Sequence, residues 1–291
     1  MNKKNKDLIP VQSLLIPKPI IYIGKILSKI SPTLALRFAA GLFLTPFGYK
    51  MPKREKDMYD KSKKERMLIS KINREIIVYT YGVPDNNKKV LLVHGWSGSG
   101  TQLSKIAETL INNGYSTVSF DAPAHGKSPG KRTMLPHFVE TIHEIEQKYG
   151  PFETAIGHSL GGMALLRASN YGLRLKSLVI IGTANSITQI IKDFAQNMQF
   201  ENKFGVLLKS YFDKKFGENL DNYSGAVSAK GVKTRTLVIH DKNDVDVHYD
   251  SAYEISDNLE FSELLITKGL GHRKILGDKN VISKILSFIL E

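Results

Sequence analysis

The sequence predicts an α/β protein: a mostly parallel sheet of eight strands with helices on both faces. Three observations predict it. Six short apolar runs recur through the chain, "VLLVHG" (90–95), "TVSFDAP" (117–123), "TAIGHS" (154–159), "LVIIGT" (178–183), "TLVIHD" (236–241) and "ELLIT" (263–267). Helix-length segments such as 101–112, 135–148 and 160–171 separate most of them. Continuous apolar strands alternating with helices belong to a parallel sheet buried on both faces. An alternating β-rich stretch precedes the runs, "MLISKINREIIVYTYG", and reads as a hairpin of 67–72 and 75–81 about Asn73 and Arg74.

The first 66 residues form a basic helical extension ahead of a main domain at 67–291. Residues 20–44 read as two short helices separated by "SPT", with Ser31 as cap and Pro32 at the first helical position. Leu34, Ala35, Phe38 and Leu42 share a face of the second helix and call for a packing partner. Lysine-rich residues 50–66 read as a solvated connector or helix. Later, about 50 residues separate two strands at 183–235, including Phe194, Met198, Phe200, Phe204, Tyr211, Phe212 and Phe216. This is a helical insertion, expected to cap the strand ends or to form a second packing layer.

At 291 residues, with 42% hydrophobic and 24% charged residues, the chain can bury a full core as one large domain. It has no cysteine, which removes disulfides, cysteine-bound metal and a thiol nucleophile, and fits a cytoplasmic setting. The net charge of +13 is uneven: residues 1–81 hold 17 Lys or Arg against 6 Asp or Glu, leaving the remainder nearly neutral. Basic residues interleaved with Ile, Leu and Phe fit either peripheral contact with the inner membrane face or a solvated helical face. Pro10 and Pro17 interrupt the first apolar stretch and no A-x-A site follows, so a signal peptide is not expected. The longest uncharged stretch nearby, 38–49, has 12 residues, short of the roughly 18 to 20 of a spanning helix.

"IGHSLGG" (156–162) sets Ser159 at the end of a strand and the start of a helix, with Gly157 and Gly161 two residues to either side. A sharp strand-to-helix turn would push the serine out of the sheet top, and the Leu160 amide would sit at a helix N-terminus facing a developing oxyanion. A serine hydroxyl needs a base, and the base needs an acid to hold its tautomer. After Ser159 the histidines are His240, His248 and His272. His272 follows the last strand in the Gly-flanked loop "KGLGHRKIL" and fits the base, while His240 lies within a strand and His248 beside Tyr249. The acid should follow "TLVIH", where Asp241, Asp244, Asp246 and Asp250 occur. Asp244 has the best spacing; Asp241 fits a turn residue and Asp246 a helix cap.

A second oxyanion donor is expected from "LLVHGWSGSG", where the amide of Trp96 or Ser97 can face the serine. This glycine-rich loop lacks G-x-G-x-x-G spacing, and "DAPAHGKS" has Asp121 where a phosphate loop needs its first glycine, so no nucleotide cofactor or nucleic-acid partner is expected. His94, His125, His143 and His158 include no i, i+4 pair around a glutamate, so no metal is expected, and His158 reads as a packed turn residue.

Together "VLLVHGW", "FDAPAHGKSPG", "IGHSLGG", "LVIHDKNDVDV" and "GLGHR" resemble α/β-hydrolase-fold serine hydrolases, in order over about residues 67–291. The likeness is to bacterial carboxylesterases and lysophospholipases. The resemblance implies Ser159 as nucleophile, Asp244 as acid, His272 as base, and the amides of Trp96 and Leu160 as oxyanion hole. It also implies that Asp121 and His125 belong to a structural Asp-x-x-x-His-Gly loop. Related haloalkane dehalogenases and epoxide hydrolases carry aspartate at the elbow, so a serine implies acyl transfer followed by hydrolysis. The expected substrate is a small-molecule carboxylic ester. Thioester hydrolysis, acyltransfer, a membrane-associated lysophospholipase and a non-catalytic ligand-binding protein are the alternatives. The extension has no counterpart in the minimal fold.

Overall fold

The computed structural model describes residues 16–83 and 88–291; the basic start at 1–15 falls outside the described residues. Among the described residues there are eight strands: β1 (Lys63–Ile69), β2 (Arg74–Tyr81), β3 (Lys89–Val93), β4 (Ser116–Asp121), β5 (Thr154–His158), β6 (Ser177–Ile181), β7 (Arg235–Asp241) and β8 (Ser262–Thr267). They form one sheet in the order β1-β2-β4-β3-β5-β6-β7-β8. β2 runs antiparallel to both of its neighbours, β1 and β4, and the other pairs among the described residues are parallel.

Alternation along the strands divides the core in two. Leu91 and Val93 of β3 join the cluster under α5 (Leu135–Tyr149) and α6 (Leu160–Asn170), where Phe138, Ile142, Met163 and Leu166 are buried. Val90 and Leu92 turn to the other face, against Ile106 and Leu110 of α4 (Ser104–Asn112) and Ile285 and Phe288 of α12 (Lys279–Leu290). Every residue of β4, β5 and β6 is buried, as a sheet covered on both faces requires. β3 lies between β4 and β5, so the chain leaves it to one side and returns on the other. A crevice opens above its carboxyl end, the place where open α/β sheets bind ligands.

The extension supplies α1 (Lys18–Ile30), α2 (Pro32–Phe43) and α3 (Lys56–Lys61). Ser31 caps α2 by accepting from the Leu34 amide, with Pro32 in the first turn. Leu34 itself is exposed, however. The buried face of α2 is Ala35, Ala39 and Ala40, small side chains that let the helix approach closely. β1 starts at Lys63, so the expected boundary at 66/67 falls inside a strand. The edge position explains the misreading: Lys63, Lys64, Glu65 and Arg66 decorate an exposed edge strand, where charge blocks further strand pairing.

Between β6 and β7 the insertion folds as α7 (Ile187–Asn197), α8 (Asn202–Phe216), a 3₁₀ turn (Leu220–Tyr223) and α9 (Gly225–Ala229). Asp221 anchors it, accepting from the Thr188 amide (3.2 Å) and hydroxyl (2.8 Å) and from Ser224 (3.1 Å). The α1–α2 hairpin packs on this cap. Phe43 stands 5.2 Å from both Phe194 and Phe212, ring centre to ring centre, and Gly24 is buried beneath Phe200 and Met198. Two short helices precede α12, α10 (Asp250–Asp257) between β7 and β8 and α11 (Gly271–Lys274) after β8. Among the described residues no helix is long and apolar enough to cross a membrane.

Candidate active site

Ser159 follows β5 directly and stands at the N-cap of α6 with φ 53°, ψ −118°, in the left-handed half of backbone space that costs a non-glycine residue energy. Its amide donates to Ile181 O (2.8 Å), which ties the strained turn to β6. The turn is possible because Gly161 lies against β3: a Cβ there would meet Val93 O at 2.4 Å. Among the described residues, the amides of Trp96 and Leu160 have no hydrogen-bond acceptor. Ser97 is occupied differently, its hydroxyl accepting from the Phe47 amide (2.9 Å), so the extension fastens the loop that carries Trp96. Buried Glu55 adds a second tie, accepting from Tyr49, Thr101 (2.9 Å) and Ser99 (3.3 Å).

The β7–α10 loop brings Asp244 to His272, 28 residues on: His272 Nδ1 donates to Asp244 Oδ2 at 2.7 Å. The other carboxylate oxygen accepts the amides of Asp246 and Val247, each at 2.9 Å. Burial by itself would raise the Asp244 pKa, but the contacts with His240 and His272 hold it well below the usual carboxylate range. The pair adjoins the β6 end, where a Cβ on Gly182 would lie 3.2 Å from His272 Nδ1 and 3.5 Å from Asp244 Oδ2. Ser159 meets that same end through Ile181. Among the described residues no hydrogen bond joins the Ser159 hydroxyl to His272.

Four neighbours hold this arrangement in ways the motif spacing did not disclose. His240 is buried, with Nε2 3.3 Å from Asp244 Oδ2 and 3.0 Å from Val247 O. His158 Nε2 donates to the His272 carbonyl (2.9 Å), with the Gln102 amide oxygen 3.2 Å from its Nδ1. Asp246 caps no helix and instead pairs with Arg273 at 3.1 Å, while Tyr249 occupies the cap of α10. Asp241 does make the expected turn, accepting the Asn243 amide (2.9 Å). It also accepts Thr267 Oγ1 (2.7 Å) and the amides of Leu270 (3.0 Å) and Gly271 (2.9 Å), binding the His272 loop to the Asp244 loop. Replacing Asp241 with Asn puts an amide N–H against backbone donors, which is expected to cost about 1–3 kcal/mol in urea unfolding. A change below about 0.5 kcal/mol, the size of an ordinary surface substitution, would contradict this bracing.

Under the Trp96 loop, Asp121 accepts Tyr79 OH (2.8 Å) and the amides of Gly100 and Lys127 (each 2.6 Å). Gly126 has φ 51°, and a Cβ there would sit 2.3 Å from the Asp121 carboxyl carbon. His125 packs edge-on to Trp96, 5.1 Å between ring centres. His94 accepts the Ala122 amide on Nε2 (3.0 Å) and donates from Nδ1 to Gly95 O (2.7 Å), the pattern of a neutral imidazole. Burial lowers its pKa from 6.5 to about 4 against the opposing pull of the Gly95 carbonyl. Burial also holds His125 and His158 well below their usual value.

These depressed values set a pH dependence of folding. Between pH 6.5 and about 4 the unfolded chain binds protons that the fold refuses, so stability rises with pH. The contribution is complete above 6.5 and is lost as pH falls through that window; His94 alone is worth on the order of 3 kcal/mol. Urea midpoints measured from pH 7.5 to 4.5 are expected to fall steadily below 6.5, and a flat profile would contradict neutral burial.

Ser159 and Asp244 open into a cavity of about 570 Å³. The cap lines it with Ile187, Ile190, Phe194 and Phe212, and the body with Met134, Leu135 and Met163. The extension completes the wall through Ile16, Leu42, Phe43, Leu44 and Phe47. Polar groups gather at Asp193, Gln196, Asn197, Asp246 and His248.

A strained serine on the sharp turn from a buried strand into a buried helix, above the carboxyl ends of a sheet with this strand order, is a backbone arrangement of the α/β-hydrolase class. The chain belongs to the α/β-hydrolase-fold family, whose sequence model matches residues 88–255. It is 31% identical over 102 residues to the esterase YbfF of Escherichia coli (strain K12); the match spans 34% of this chain and 40% of that relative. Among solved structures it is similar to an esterase from Exiguobacterium antarcticum (17% identity, TM-score 0.62, covering 79% of this chain and 100% of that one). It is also similar to a lipase-like protein from Acinetobacter baumannii AYE (19% identity, TM-score 0.62, covering 82% and 94%). At such identities the two structures speak to the fold alone.

Proposed function

We propose that this protein is a serine-dependent hydrolase of carboxylic esters with apolar, medium-length acyl or aryl groups. The observation that carries the reading is the elbow serine facing an apolar cavity beside a hydrogen-bonded Asp244–His272 pair. The esterase relative supports it. In the proposed reaction the Ser159 hydroxyl adds to the acyl carbonyl while His272 Nε2 takes its proton. The oxyanion is held by the Trp96 and Leu160 amides. Collapse of the tetrahedral intermediate breaks the bond to the alkoxide, which leaves with the proton from His272. Water then adds to the acyl-enzyme, His272 again taking and returning the proton, and the carboxylic acid departs. Asp244 holds Nδ1 protonated throughout and stabilises the imidazolium.

Thioester hydrolysis and acyltransfer would use the same groups with a different leaving group or acceptor. A series of p-nitrophenyl esters from acetate to laurate tests the reading. The expected result is a kcat/KM that rises with chain length as the apolar wall is filled, and then falls. No turnover of any ester or thioester, with tight retention of a fatty acid, would instead mark a binding protein.

A further inference from the structure

Helix α1 carries two apolar faces. Ile20, Ile21, Gly24 and Leu27 pack toward the cap, with Gly24 beneath Phe200 and Met198. Tyr22, Ile23, Ile26 and Ile30 are spaced so that a 3.6-residue turn sets them together on the outer side. They are 64%, 47%, 57% and 69% exposed, and Leu34 at the start of α2 continues the patch at 46%. Scattered exposed apolar residues are ordinary; a contiguous ridge of this size on one short helix marks a surface that meets something.

The charge around the ridge selects the partner. Exposed Lys18 and Lys29 line one flank of α1, where partly buried Lys25 donates to Gln199 Oε1 of the cap (2.6 Å), and exposed Arg37 stands on α2. No Asp or Glu occurs between Asp7 and Glu55, a stretch that holds seven Lys or Arg. A second copy of this chain would bring like charge against like charge. A surface offering phosphates at its rim and hydrocarbon beneath matches both parts.

We propose that the α1–α2 hairpin docks this protein on an anionic lipid surface. Tyr22, Ile23, Ile26, Ile30 and Leu34 enter the acyl boundary, and Lys18, Lys29 and Arg37 lie among the headgroup phosphates. The inner side of the same hairpin supplies Leu42, Phe43 and Leu44 to the cavity wall. The docked face and the candidate site are thus two sides of one element. Docking is read without turnover, so the proposal stands or falls apart from the hydrolytic reading.

Flotation of the full chain with phosphatidylcholine vesicles, with and without 30 mol% phosphatidylglycerol, tests it. The wild type is expected to float with the anionic vesicles and to lose at least tenfold in binding at 0.5 M salt, where exposed charges are screened. Ile23→Glu/Ile26→Glu is expected to lose at least tenfold at low salt, with thermal unfolding and p-nitrophenyl acetate hydrolysis unchanged. Lys18→Gln/Lys29→Gln removes no packing and is expected to weaken binding and flatten its salt dependence. The proposal is overturned if the wild type does not float, floats equally with both vesicles, or binds undiminished after both double substitutions. It is also overturned if Ile23→Glu/Ile26→Glu dissociates a dimer of the free protein, which would assign the ridge to a second copy.

Discussion

Ser159→Ala is expected to lower ester turnover by a factor on the order of 10³ to 10⁶ while leaving the urea midpoint nearly unchanged. The hydroxyl makes no hydrogen bond to His272 in the structure, and the elbow is held by backbone contacts that alanine keeps: the 159 amide on Ile181 O and the close fit of Gly161 against β3. Stability and chemistry therefore separate at this position. Initial rates on the best p-nitrophenyl ester, measured beside urea unfolding, check both halves. Turnover within tenfold of wild type would show that another group performs the attack.

Asp244→Asn is expected to cost on the order of 10³ to 10⁴ in kcat with KM little altered, the scale on which an orienting acid acts in such triads. The local geometry makes the direction definite. One carboxylate oxygen accepts the Asp246 and Val247 amides, so the asparagine oxygen is drawn there. Its NH₂ then faces His272 Nδ1, which must become an acceptor. The ring proton moves to Nε2, the atom that receives the serine proton in the proposed reaction, and that base is lost. Asp241→Asn, which touches only the backbone and Thr267 side of the loop, should leave far more activity. The reverse order of the two variants would assign the acid to Asp241.

Most of the sheet was legible because burial on both faces makes its strands continuous apolar runs, and all six runs from 90 to 267 start and end within two residues of the strands β3 to β8. β1 was obscured because an exposed edge strand carries the lysines of a solvated connector. Site geometry was legible in proportion to its locality. The elbow at 157–161 is a local backbone demand, and the meeting of Asp244 with His272 follows from two loops at the ends of adjacent parallel strands, where Asp241 pairs in register with Thr267. The bracing groups were not legible, since nothing near Glu55, His158 or His240 in sequence points to partners 44, 114 or 4 residues away. The largest omission was the roof. That Phe43 stands against Phe194 and Phe212 depends on how a hairpin settles on an insertion more than 140 residues later, and no periodicity encodes it.

In the proposed reaction His272 activates Ser159. Labelling the intact protein with a fluorophosphonate probe, and locating the adduct by peptide mass spectrometry, reads that activation at a single residue. One adduct is expected, on Ser159, formed by the wild type and abolished in both Ser159→Ala and His272→Ala. A folded wild type that takes no label, or a His272→Ala variant that labels as fast as wild type, would contradict it.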